Sequence, residues 1–183
     1  SCLMEQGGAF LQGYNCQAAV DDGHQVIVAA DLTNQVPDNG NLVPMLEQVR
    51  RNCGASAAVA TADSGYWAPD TPSACRDLGT EVYIATERRK HGDRNDSVTE
   101  GLGPGEAADP RAAMRWKLRT EQGREIYARR KAVVEPVFGQ IKEARGVRRF
   151  LLRGLEAAGA EWQLICLANN LLKLFRSGSS SYA

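Results

Sequence analysis

The stretch from Glu121 to Phe150, EQGREIYARRKAVVEPVFGQIKEARGVRRF, restricts the folds open to this chain more than any other. Val133, Val134, Val137, Phe138 and Ile141 recur in steps of three and four, so they line one face of a helix that must be covered. Glu135 sits inside that run, between Val134 and Pro136. Lys131 lies four residues before it and Lys142 seven after, spacings that place all three on one helix face. Pro136 removes the backbone bond to Ala132, which predicts a kink or a break there. The plain reading of Glu135 is a surface carboxylate in a helical ion pair, an interaction worth little. A Glu beside a proline, in an apolar run and among Arg and Lys, also suits a metal ligand facing bound phosphates.

A chain of 183 residues can enclose one real core. Hydrophobic content of 43% and charged content of 24% are those of a soluble globular protein, and no apolar run approaches the length that spans a bilayer. No basic-then-apolar leader opens the chain, which begins at Ser1. Cys2, Cys16, Cys53, Cys75 and Cys166 are odd in number and lack CxxC spacing, which argues for reduced thiols against a disulfide framework or a zinc site. His24 and His91 are the two histidines, too few for a His-rich metal centre.

Net charge is zero but unevenly spread. Residues 1–86 hold three basic side chains against ten acidic, and residues 111–153 hold thirteen against four. A local excess of this size is either a solvated helix face or the footprint of a polyanionic partner.

In chain order, residues 10–21 read as a strand, Asp22-Gly23 as a turn, and residues 24–31 as a second strand antiparallel to the first. Residues 33–41 are a loop, and Asn41 is placed to cap a helix through Leu42, Met45, Leu46 and Val49 that stops at Gly54. Residues 57–62 have the unbroken apolar character of a central parallel strand. Asp63 stands at its C-terminal tip, where α/β folds place ligand-binding groups, although an Asp there can equally cap the next helix. A short helix from Pro69 to Leu78 and a strand over 81–86 follow. Residues 87–110 read as a polar loop or insertion, and residues 111–130 as a helical approach to the central stretch. Residues 155–176 form the strongest amphipathic pattern, with Leu155, Trp162, Ile165, Leu172 and Phe175 as its expected buried stripe. The tail 177–183 reads as disordered.

GYNCQAAVD, HQVIVAADLTNQ, ATADSGYW, YARRKAVVEPVFGQIK and the Asn-Asn-Leu-Leu-Lys-Leu ending, in that order, resemble the C-terminal part of a DDE transposase from a bacterial insertion sequence. The likeness is to the group whose last catalytic helix carries a Tyr-Arg-Glu-Lys signature, and it covers nearly the whole chain. ADSGYW combined with VEPVFGQIK is its specific part. The resemblance implies an α/β fold over residues 1–176: an incomplete ribonuclease H-like fold, a mixed sheet flanked by helices, with the first strand missing. It makes Asp63 the second acid of the catalytic triad, Glu135 the third, and Lys142 the signature lysine. Lys131 stands where the signature has Arg, and Tyr127 precedes it by one residue more than the pattern has. The first acid belongs to the missing strand, and Asp21, Asp22 and Asp31 do not take its role.

The same resemblance implies two Mg²⁺ ions, with Mn²⁺ as a substitute, at Asp63 and Glu135. It implies double-stranded DNA as partner, both element ends and target, contacted by Arg130, Lys131, Lys142, Arg145, Arg148 and Arg149. Trp67 either stacks on an unpaired base or packs beside the site. A homo-oligomer is expected of the complete protein, acting at the nucleoid in the bacterial cytoplasm without a membrane. The parent activity is DNA strand cleavage and transfer, and this chain reads as a truncated, inactive copy. The reading from a different class is a non-enzymatic DNA-binding or self-associating remnant.

Overall fold

The computed structural model describes residues 2–6, 9–87 and 109–179. In chain order the elements are strands β1 (Cys2–Gln6), β2 (Ala9–Gly13), β3 (Asn15–Val20) and β4 (Ile27–Thr33), then helix α1 (Leu42–Cys53) and strand β5 (Val59–Ala62). A 3₁₀ turn (Ser64–Tyr66), α2 (Thr71–Asp77), β6 (Glu81–Ile84), α3 (Pro110–Arg119), α4 (Glu121–Gly139), a π turn (Gln140–Ala144) and α5 (Leu155–Ser179) complete the order. Most of the loop expected over 87–110, and the end of the tail, lie outside the described residues. The chain divides into two compact units, Ser1–Val36 with Val133–Ala183, and Pro37–Ala132.

In the first unit, β1 pairs with β2 and β3 with β4, both antiparallel. The strand expected over residues 10–21 is two strands, separated at Tyr14. The turn after β3 falls around Asp22-Gly23 as the sequence requires. Asp21 fastens it, accepting from the backbone N–H of Gly23 at 3.1 Å and of His24 at 2.8 Å.

The core of this unit joins Ile27, Ala30 and Leu32 of β4 to Val137 and Ile141 from the α4 region and to Ala158, Trp162 and Cys166 of α5. Phe138 stacks on Trp162 with ring centroids 5.9 Å apart, and the Trp162 indole N–H donates to the Gln17 carbonyl at 3.0 Å. The buried stripe of α5 is therefore Ala158, Trp162, Cys166 and Asn169, with Ile165 half-buried beside it. Of the stripe expected from sequence, Leu155, Leu172 and Phe175 are exposed instead. The small Ala30 on β4 lets the helix come close, and a Cβ placed on Gly159 would meet the Leu32 Cβ at 3.9 Å, an ordinary contact distance. Close approach turns the small and planar side chains inward and the bulky leucines out.

Helix α4 runs through Pro136 to Gly139, so the break expected at the proline does not occur there. Pro136 is exposed, and its neighbour Val137 is fully buried. Anchoring on Val137 and Ile141 holds the helix in place despite the lost bond. The irregularity comes later, in the π turn, where Arg145 N–H donates to Gln140 at 3.1 Å and Gly146 ends the run at φ 67°.

In the second unit β5 and β6 are parallel, Val59 opposite Glu81. Leu42, Leu46, Ala62, Trp67, Cys75, Val82, Ile84 and Met114 form its core. Gly54 ends α1 in the left-handed region at φ 73°, as expected, but the Asn41 side chain makes no capping bond. Residues 111–130 are two helices, not one continuous approach: α3 stops at Arg119 and α4 starts after Thr120. The strands of the described residues lie in three two-stranded sheets rather than in one mixed sheet.

Candidate functional site

Strand β5 ends on the buried Ala62 and delivers Asp63 to the surface. Asp63 is in extended backbone and opens the 3₁₀ turn, its Oδ1 accepting from Gly65 N–H at 2.9 Å. The capping role that the sequence allowed for Asp63 is thus present, and it occupies one carboxylate oxygen. Asp38, from the loop before α1, reaches the same place. A Cβ on Gly65 would lie 2.8 Å from Asp38 Oδ2 and 3.1 Å from Asp63 Oδ1. The missing side chain at position 65 is what lets two carboxylates close on one point. Sequence reading left Asp38 in a turn-rich loop; the available signal was the Asp-Ser-Gly triplet, a glycine two residues from the strand-tip acid.

Trp67 is 8% exposed and packed in the core, with the Arg111 guanidinium 5.8 Å from its ring centroid. Of the two readings of Trp67, the packed one matches this burial.

Glu135 is exposed on α4, as is Lys131 one turn earlier. Lys142 is exposed on the π turn, its ammonium 5.9 Å from the Phe138 ring centroid. Arg130 is half-buried over the Tyr127 ring at 5.5 Å. Arg145 donates to Asn169 Oδ1 at 2.6 Å, Arg148 pairs with Glu143, and Arg149 is exposed. The basic run is therefore mixed in function: Arg145 holds α5, whereas Lys131, Lys142 and Arg149 keep their charges at the surface. Asp63 belongs to the unit 37–132 and Glu135 to the other. Among the described residues no group of three or more His, Cys, Asp or Glu is gathered as a metal cage.

Among the described residues, the cysteines that burial reaches offer no competing nucleophile. Burial pushes the thiols of Cys16 and Cys75 up to about 11 and that of Cys166 up to about 12, so they stay protonated at neutral pH.

These features define an α/β protein that carries hard oxygen donors at a strand tip and on a cation-rich helix. The family model of the Transposase DDE domain matches residues 4–171, and the chain belongs to that family. No curated protein and no solved structure matches it. Transposition is the function of that family; its members generally use divalent metal ions and have DNA as partner. Among the described residues no helix is long and apolar enough to cross a membrane.

Proposed function

We propose that this chain is the C-terminal part of an insertion-sequence transposase whose complete form cuts and rejoins DNA, with Asp63 and Glu135 as two of its acids. The family match over residues 4–171 carries the reading. The exposed carboxylate of Asp63 at the end of a parallel strand supports it. The element order is compatible with it: a hairpin β3–β4 followed by a parallel pair β5–β6 is the succession expected of a ribonuclease H-like fold.

The donors fit Mg²⁺ or Mn²⁺ in kind. Asp38, Asp63 and Glu135 offer the oxygen ligands that hard divalent ions prefer. A bound ion would polarise a phosphodiester and stabilise the leaving oxygen. The chain's own part is to hold Asp63 by its Gly65 bond, to keep Glu135 clear of the core, and to draw phosphates to Lys131, Lys142 and Arg149. Glu135 acts with Asp63 by the pattern of the family. The Lys131–Glu135–Lys142 spacing is read as this family's Tyr-Arg-Glu-Lys helix with Lys in place of Arg. With two of the three family acids assigned, the isolated chain is expected to be inactive.

The test is Mn²⁺ titration of the purified chain and of Asp63→Asn, with duplex element-end DNA cleavage scored in parallel. The reading expects metal binding that Asp63→Asn weakens at least tenfold and no strand cleavage. Metal-indifferent DNA binding identical in both proteins would mean a non-enzymatic remnant instead. Clean cleavage by this chain would refute its inactivity.

A further inference from the structure

Residues 145–154, RGVRRFLLRG, hold four arginines and no acid, and Leu151 and Leu152 stand among them. The two leucines are 79% and 51% exposed, in the irregular segment between the π turn and α5. A single exposed leucine is ordinary. Here two in succession are presented on a backbone that the fold holds in place.

Three contacts hold it. The Phe150 ring meets Tyr14 edge-on, with centroids 5.9 Å apart. The Tyr14 hydroxyl accepts from Gly154 N–H at 3.1 Å, so one side chain grips the segment on both sides of the leucines. Between those grips, the half-buried Glu161 of α5 accepts from Leu151 N–H at 2.9 Å and from Leu152 N–H at 2.8 Å. All of these residues belong to one compact unit. The backbone is therefore ordered before any partner arrives, and binding there avoids the cost of ordering it.

Charge limits what can cover the pair. Arg145 and Arg148 are engaged with Asn169 and Glu143, whereas Arg149 and Arg153, on either side of the leucines in the chain, are exposed. The fitting partner offers an apolar surface bordered by anions, as stacked bases between two phosphate backbones do. An anionic membrane has the same chemistry, but two leucines bury less than one acyl chain, which by itself binds only marginally. Duplex DNA needs no such depth, because an apolar side chain between two base steps is enough to unstack and kink it.

We infer that Leu151 and Leu152 form a wedge that enters duplex DNA between adjacent base pairs, with Arg149 and Arg153 on the neighbouring phosphates. Pyrimidine–purine steps, the easiest to unstack, are its entry points. The wedge rests on the DNA-binding part of the proposed function and not on the acidic site.

Duplexes with 2-aminopurine at a central TA step test it, since this base brightens when it leaves the stack. Anisotropy on the same duplexes gives affinity, and circular dichroism checks folding. The wild type should brighten the probe and should prefer a duplex with a central mismatch by about tenfold, because part of the unstacking cost is already met there. Leu151→Ala with Leu152→Ala should abolish both effects and leave the salt dependence of binding unchanged, since no phosphate contact is lost. Arg149→Gln with Arg153→Gln should weaken binding to all sequences alike and lower the salt slope by about two. A probe signal that survives the leucine substitutions overturns the wedge while leaving DNA binding in place. So does a wild type that binds the duplex without brightening the probe, or one whose leucines are needed only on phosphatidylserine vesicles. A wild type that binds no duplex at all would remove the wedge and the DNA-binding reading together.

Discussion

Asp38 and Asp63 come from segments separated by a whole helix and a strand, yet both carboxylates close on Gly65, at 2.8 and 3.1 Å from where its Cβ would stand. Two acids that face one point offer oxygen ligands to a shared cation. The substitution Gly65→Ala forces one of them to swing away, which is cheap for the fold because the clash is with the ends of flexible side chains. It should therefore leave the unfolding midpoint nearly unchanged and weaken Mn²⁺ binding about tenfold, the usual size of a supporting-residue effect. Asp38→Asn should do the same. Calorimetric titration of the three proteins decides; equal affinities would remove Asp38 from the site.

A second relationship concerns Asn170 and Ile27. The Asn170 amide donates to the Ile27 carbonyl and accepts from its N–H, so a side chain on α5 takes the part of a neighbouring strand for β4. Asn170→Asp keeps the shape but loses the donor and sets a carboxylate against a carbonyl. It should cost about 1–3 kcal/mol, whereas Gln163→Ala on the exposed flank should stay within about 0.5 kcal/mol. Urea denaturation measures both.

Gly123 shows a different kind of constraint. A Cβ there would lie 1.9 Å from the Lys117 carbonyl oxygen, a backbone atom that cannot move aside. The Gly123 N–H also donates to Thr120 Oγ1 at 3.0 Å, so the α3–α4 junction is a threonine-capped turn closed by close approach. Gly123→Ala should destabilise the chain by several kcal/mol, a large effect for one methyl group. The neighbouring exposed Gln122→Ala should be silent in the same thermal melt.

Several features were legible in the sequence because one residue type has one local meaning. Asp22-Gly23 marked the hairpin turn, Gly54 marked the end of α1, and Asp63 marked the tip of β5. What escaped depends on tertiary context. Thr120 and Gly123 divide residues 111–130 into two helices, yet neither stands out in a stretch of good helix formers. The outward turn of the α5 leucines follows from the close fit of Ala158 and Gly159 against β4, which periodicity alone does not reveal, since the helix has two apolar faces to choose from. At Pro136 the helix does not break, because the burial of Val137 and Ile141 outweighs one missing hydrogen bond. The pairing of Asp38 with Asp63 required knowing that two loops meet.

The buried thiols give a pH dependence with a defined sign. Burial raises Cys166 from 9.0 to about 12, and the neighbouring Cys16 adds to that shift. Burial likewise raises Cys16 and Cys75 to about 11, with Lys142 partly opposing the rise at Cys16. An unfolded chain releases these protons near pH 9, and the folded chain holds them longer. The stabilisation is then fully present below pH 9 and is lost as pH climbs through 11 to 12. The urea midpoint should be flat from pH 7 to 8.5 and fall steadily above 9. Cys166→Ala should lower the midpoint at neutral pH, by loss of packing, while making the alkaline fall shallower. Native alkylation at pH 8 should modify the exposed Cys53 and spare Cys16, Cys75 and Cys166. Rapid labelling of Cys166 in the folded protein would show that α5 opens away from β4, and would undo the assignment of its inner face.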